Sequence, residues 1–280
     1  MLYIPALILF GVFIFYPLFL GMGLSFTDWD GYHQTKDFVG GQNYLRLLTD
    51  KYFLGSLRNT LIYGFGCTFL QQILGLMLAL ILNSKLKGKN IARAIIYLPI
   101  LISQIIMGCM YYLLIEYSHG ALNDIMILFG GERIAWLSST NIAIGIIVFI
   151  NTFQFMGISM ILYLAGLQSI PEMYYEAASI DGAKRWDLFK RITFPLLYPA
   201  MITSVTINLI GGLKLFDIIR VMTNGGPGYS TNSISTFIDL TYFDSQSAGY
   251  ASAMGVLLFT MILVVTLILN MMLKSREVNY

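Results

Sequence analysis

SIPEMYYEAASIDGAKRWDLFKRITFP, from Ser169 to Pro195, is the longest polar stretch between two strongly apolar runs. If those runs cross a bilayer, this segment is a loop that meets water. Its chemistry predicts a helix, a turn and a second helix. Ser169 is placed to cap the first helix, with Glu172 reaching back to it and Pro171 in the opening turn, where a missing N–H costs nothing. Gly182 supplies the left-handed residue that ends this helix without a Cβ penalty. Ala177 and Ala178 leave a face with almost no side chain, open to close approach by another protein. The second helix sets Lys184, Arg185, Lys190 and Arg191 against Trp186, Phe189 and Ile192, so it is amphipathic and basic. Pro195 and Pro199 flank the start of the next apolar run.

The flanking runs do read as membrane spans. Of 280 residues, 57% are hydrophobic and 11% charged, and the mean hydropathy is +0.71, far from a soluble average. A hydrocarbon core of roughly 30 Å needs about 20 apolar helical residues. Six stretches meet that: Leu2 to Phe26, Asn59 to Leu82, Ile91 to Ile115, Asn141 to Leu167, Leu196 to Met222 and Ala251 to Leu273. The first ends in Thr27-Asp28-Trp29-Asp30 without a small-residue cleavage site, so it reads as a span rather than a signal peptide. The expected fold is all-α and polytopic, one membrane domain over residues 1–280.

Composition also excludes several functions. A net charge of +2 with no basic run gives no footprint for nucleic acid. Cys67 and Cys109 sit inside apolar runs without metal-ligand spacing, and His33 and His119 lie in separate polar stretches, so no metal site is expected. There is no GxxxxGK[ST] phosphate loop, so any ATP hydrolysis must come from a partner.

Glu176-Ala177-Ala178, then Asp181-Gly182-Ala183, Ile192 and Phe194-Pro195 resemble the EAA loop of permease subunits of bacterial ATP-driven, binding-protein-dependent importers. The resemblance implies a cytoplasmic coupling helix between spans four and five, seated in a cleft of an ATPase subunit, with Glu176, Ala177, Ala178, Asp181 and Gly182 carrying the coupling. Taking that side as inside puts Lys85, Lys87, Lys89, Arg93, Lys184, Arg185, Lys190, Arg191, Lys274 and Arg276 in the cytoplasm. Lys36, Arg46, Lys51, Arg58 and Arg133 are then outside. That is ten against five, as the positive-inside rule requires, and six spans leave both termini in the cytoplasm.

The outer loops carry further signals. Phe38 to Tyr44, with Phe53 beyond, resembles the matching segment of sugar permeases in this family; it could fold back over its own helices or face a binding protein. Asn123 to Phe129 is short and apolar enough to lie along the interface beside Trp136. Thr223-Asn224-Gly225-Gly226-Pro227-Gly228 stops the fifth span abruptly. In that position it looks like the mark of the branch of carbohydrate permeases containing the larger maltose-importer permease and the related glycerol-phosphate permeases. The resemblance implies a heterodimer with a second homologous permease, two ATPase subunits binding ATP and Mg, and an extracytoplasmic sugar-binding protein. It implies no cofactor on this chain.

Polar groups inside a bilayer face the bundle interior, a partner or a water-filled cavity. Gln71, Gln72 and Gln104 could simply hydrogen-bond neighbouring helices. Spans four and five flank the loop and would move with it. On span four Asn151, Gln154, Phe155 and Ile158 recur at helical spacing; on span five Asn208, Gly211, Gly212 and Leu215 do the same. An aromatic ring, amides and glycine space suit a pyranose. By the resemblance, Gln154, Phe155, Ile158, Asn208, Gly211, Gly212 and Leu215 fall where the maltose permease contacts its sugar, although most of them differ from it. Lys214 and Asp217 are three apart and could neutralise each other on one face; Lys214 left unpaired in the cavity would suit an acidic sugar.

The expected function is the membrane-spanning half of an oligosaccharide importer working by alternating access, with glycerol 3-phosphate or an acidic sugar as the alternative cargo. A membrane enzyme would need a carboxylate, histidine or cysteine cluster at an interface, and a stand-alone carrier an internal repeat. The sequence offers neither.

Overall fold

In hydrocarbon each backbone amide must be satisfied within its own helix, so long apolar runs have one solution. The computed structural model describes residues 3–84 and 86–274. Leu2, at the start of the first expected span, and Lys85 and Arg276, two of the expected inner basic residues, lie outside the described residues.

Among the described residues five helices are long and apolar enough to cross a membrane: Ile4–Leu24 (α1), Lys51–Leu82 (α3), Thr140–Ser169 (α7), Tyr198–Met222, which is broken into Tyr198–Leu213 (α10) and Asp217–Met222 (α11), and Ala248–Lys274 (α13). A further pair, Lys89–Leu101 (α4) and Gln104–Ile115 (α5), is long and apolar enough only when taken together, and its halves meet at 97°. The expected single span over Ile91 to Ile115 is therefore bent. Pro99 lies in the tight turn that ends α4, and Ile102 and Ser103 are extended between the halves.

Shorter helices connect the spans: Gln42–Thr49 (α2), Ala121–Leu128 (α6), Glu172–Ile180 (α8), Arg185–Leu188 (α9) and Ile234–Asp239 (α12). The second span starts earlier than its apolar run. Asp50 caps α3, its Oδ1 accepting from Tyr52 N at 2.9 Å and Phe53 N at 3.3 Å, so the polar Lys51 to Arg58 joins the helix.

Small residues let the central helices approach closely. A Cβ on Gly75 of α3 would lie 2.4 Å from Ser159 Cβ on α7, and one on Gly212 of α10 would lie 2.9 Å from Gly64 Cα. Around these contacts Ala79, Leu82, Met160, Tyr163, Leu164, Leu167 and Leu197 form one buried cluster; Tyr63, Ile147, Ile150, Leu215, Ile218 and Ile219 belong to another. By contrast α1 exposes Leu7 and Phe13, as expected of a helix whose solvent is lipid.

The loop between the first two spans packs on its own chain. Asn43 Nδ2 donates to Ser25 O and Thr27 O, both at 2.9 Å, and the Tyr44 ring lies 5.4 Å from Phe26. In the loop between the third and fourth spans the fully buried Asn123 of α6 accepts from Trp136 Nε1 at 3.0 Å and Ile134 N at 3.1 Å.

Candidate functional site: a coupling loop and a membrane cavity

The polar loop forms as its glycine dictates. After α8, Gly182 adopts φ +77°, and Ala183 N donates back to Ala178 O at 3.0 Å and Gly182 N to Ser179 O at 3.1 Å, closing the helix end. The expected cap does not form: Ser169 is the last residue of α7 and its hydroxyl donates to Gly166 O at 2.8 Å. Pro171 occupies the cap position of α8, without a side-chain cap. The reason is that α7 runs on to Ser169, two residues beyond the expected Leu167, and its end claims that hydroxyl.

The loop leaves its functional candidates open. Glu176, Ala177, Asp181 and Gly182 are exposed and Ala178 half-buried. Apolar surface is exposed beside them: Ile180 is 87% exposed, Trp186 71% and Met173 66%. Tyr175 OH and Thr193 Oγ1, 3.1 Å apart, tie α8 to the segment that follows it. Trp186 stacks on Phe189 at 5.6 Å, and Phe189 lies 6.0 Å from Phe194, carrying an aromatic ladder to the foot of the fifth span.

The spans on either side of this loop line an open cavity of about 610 Å³. From α7 come Asn151, Phe155 and Ile158; from α10, Asn208, Gly211 and Gly212; from the break after α10, Lys214 and Leu215. Every expected substrate-site residue except Gln154 lines it. Gln154 points elsewhere: it is 1% exposed and its Nε2 donates to Ile102 O at 2.9 Å, in the bend of the third span. That carbonyl has lost its helical partner, and the amide of Gln154 replaces it.

The amides that remain are held by neighbours. Gln71 Nε2 donates to Asn151 Oδ1 at 3.1 Å, and Asn208 Nδ2 to Ser159 Oγ at 2.6 Å. The two glycines divide their roles. Gly211 has nothing within 4 Å of where a Cβ would sit, so it leaves space in the cavity, whereas Gly212 is pressed on the second span.

Gln71 and Gln104, which the sequence left as possible helix-packing amides, and Asp217, read as a possible partner of Lys214, also line the cavity, as do Ile207 and Ile210, which sequence reasoning missed. The signal for Gln104 was Pro99 with Ser103 just ahead of it, which together open the bend. Gln71 had no such signal, because a helix face in isolation does not say which neighbour it meets. Lys214 and Asp217 form no ion pair with each other, because the helix stops at Leu213 and restarts at Asp217. Leu215 O, freed by that break, accepts from Ser233 Oγ at 2.7 Å.

In the segment between the first two spans, Asp30 and His33 form an exposed pair. Their side-chain hydrogen bond raises the His33 pKa above its ordinary 6.5 and, helped by the Tyr32 and His33 backbone N–H groups, lowers the Asp30 carboxyl well below the usual carboxylate range.

Residues 71–277 match the family described as the binding-protein-dependent transport system inner membrane component. The chain is similar to the trehalose/maltose transport system permease protein MalF of Thermococcus litoralis, with 38% identity over 271 residues, 95% of this chain and 90% of that protein. It is also similar to a probable starch degradation products transport system permease protein, AmyD, of Thermoanaerobacterium thermosulfurigenes, at 33% identity over 98% of this chain and 93% of that one. Among solved structures, a bacterial ABC transporter involved in import of the acidic polysaccharide alginate superposes with a TM-score of 0.85 at 26% identity, covering 98% of this chain and 94% of that chain. The bent third span, the glycine-closed loop and the cavity between the spans that flank it thus belong to a multi-pass transport subunit, and the chain is a member of the family of inner-membrane components of binding-protein-dependent transport systems.

Proposed function

We propose that this chain is the permease subunit of an ATP-driven oligosaccharide importer and forms half of its translocation pathway beside a second, homologous permease. The observation that carries the reading is the placement of cavity and loop on the same two spans: Asn151, Phe155 and Ile158 stand on the helix entering the loop, and Asn208, Gly211 and Gly212 on the helix leaving it. The carbohydrate names of the relatives, and the amides, ring and glycine space of the cavity, support a sugar as cargo.

In this reading the polar loop is cytoplasmic, both termini lie on that side, and two ATPase subunits bind ATP and Mg, with no cofactor on this chain. Closure of the ATPases on ATP draws each coupling helix inward. The attached spans four and five then rearrange, and the cavity opens outward to a sugar-loaded extracytoplasmic binding protein. Hydrolysis and release return it inward. Glu176, Ala177, Ala178, Asp181 and Gly182 transmit the motion; Asn151, Phe155, Ile158, Asn208, Gly211, Gly212, Lys214 and Leu215 meet the cargo.

Purification of the tagged chain in mild detergent, with mass spectrometry of what accompanies it, tests the assembly. Recovery of a second permease with its own EAA loop and of an ATPase is expected; a stable, monodisperse chain alone would contradict it. Phe155→Ala should weaken uptake by about tenfold while leaving that assembly intact, as loss of a ring stacked on cargo requires. Unchanged uptake across sugar concentrations would remove Phe155 from the site.

A further inference from the structure

Two opposite charges open into the cavity without neutralising each other. On a continuous helix Lys214 and Asp217 would share a face and pair. Instead α10 ends at Leu213, Phe216 departs from helical geometry at φ −134° and ψ −62°, and α11 begins at Asp217. Among the described residues neither side chain has an ion-pair partner. Arg220, one turn on, is engaged with Asp239 at 3.4 Å and Asn224 at 2.7 Å, so it does not serve Asp217. Both charges line the same 610 Å³, and among the described residues no third ionisable side chain does.

Lys214 is exposed and Asp217 half-buried in this chain, and a charge on a membrane-spanning segment needs a polar partner or water. Hydroxyls of a sugar serve both groups at once, donating to the carboxylate and accepting from the ammonium. A carboxylate on the cargo would satisfy Lys214 but share a poorly screened space with Asp217. We infer that Lys214 and Asp217 act as a balanced pair that selects uncharged carbohydrate and rejects acidic carbohydrate. The inference deepens the carbohydrate reading above and rests on it.

The test is direct binding of maltotriose, xylotriose and trigalacturonate to the purified transporter complex by calorimetry, with the binding protein left out so that its own selectivity does not intervene. The neutral trisaccharides should bind at least about tenfold more tightly than the uronate. Asp217→Asn should shrink that ratio about tenfold and Lys214→Gln should enlarge it. A ratio between ligands does not depend on the fraction of each variant that folds. Preference of the wild type for trigalacturonate, or a ratio unmoved by both substitutions, would overturn the inference. Binding of none of the three would overturn the carbohydrate reading itself, an outcome distinct from the other two.

Discussion

Two glycine-bearing loops end helices at opposite faces of this molecule, and they are built in opposite ways. Beyond the fifth span, the segment from Thr223 to Ser233 is anchored at its end: Thr231, Asn232 and Ser233 are fully buried, while Asn224 and Pro227 to Tyr229 are exposed. Span two holds it from one side, with Asn59 Nδ2 donating to Ser230 O at 2.7 Å and Asn232 O at 3.0 Å, and Tyr63 OH donating to Thr231 O at 2.8 Å. Thr140, at the start of span four, brings its hydroxyl within 2.7 Å of Ser230 Oγ. The segment from Ile170 to Trp186 instead leaves Ile180, Trp186 and Ala177 in the open. The difference teaches where each loop finds its stability. The segment after the fifth span is held by hydrogen bonds to spans two and four of this chain; the other leaves apolar surface exposed.

The largest effect that would sharpen this contrast is at Gly225. It adopts φ +82°, and a Cβ there would lie 2.2 Å from Asn232 Oδ1. Gly225→Val should cost about 3 kcal/mol or more and cut the yield of monodisperse protein on size-exclusion chromatography. A normal yield and melting temperature would show that the segment after the fifth span is not the rigid element described.

Gly182 has nearly the same backbone, φ +77°, with nothing within 4 Å of its Cβ position. Gly182→Val therefore meets only the left-handed strain, about 1–2 kcal/mol. Insertion and yield should hold while ATP hydrolysis stimulated by loaded binding protein falls about tenfold, the strain being released by moving the helix end that carries the coupling face. Equal loss of yield at the two glycines would erase the contrast; wild-type coupling in Gly182→Val would detach this glycine from coupling.

The smallest effect concerns a loop held by charge instead of burial. His33 is raised by Asp30, so its contribution is fully present below its unfolded value of 6.5 and lost as pH rises through the higher folded value. Asp30 is lowered, so its contribution is present above its unfolded 3.8 and lost only as pH falls through the lower folded value. Amide protection at Tyr32 and His33, whose N–H groups donate to Asp30 Oδ1, should be greatest between these limits and decline above them. Corrected for intrinsic exchange, that decline should vanish in Asp30→Asn; a pH-independent profile in the wild type would contradict the assignment.

Much of this was legible in the chain. Apolar length located the spans, and Gly182 marked the end of α8 because so few residues tolerate its conformation. Most cavity residues followed from the 3.6-residue spacing of polar groups on spans four and five. What stayed hidden depended on neighbours. Spacing placed Gln154 on the right helix, yet its partner, Ile102 O, exists only because the third span bends. Ser169 had the chemistry of a cap, and the longer α7 took it. The pairing of Lys214 with Asp217 assumed a continuous helix that Leu215 and Ser233 interrupt. In each case hydropathy carried the element and tertiary hydrogen bonds decided the detail.

The central claim is that the loop between spans four and five is a surface completed by an ATPase. The most direct measurement is the maleimide labelling rate of a cysteine replacing Ala177, in a chain whose exposed Cys109 is changed to serine while the buried Cys67 is kept. The account predicts rapid labelling in the purified chain and strong protection in the assembled transporter, with a control cysteine replacing the exposed Lys51 labelled equally in both. Equal labelling of the Ala177 site in the two preparations would contradict it.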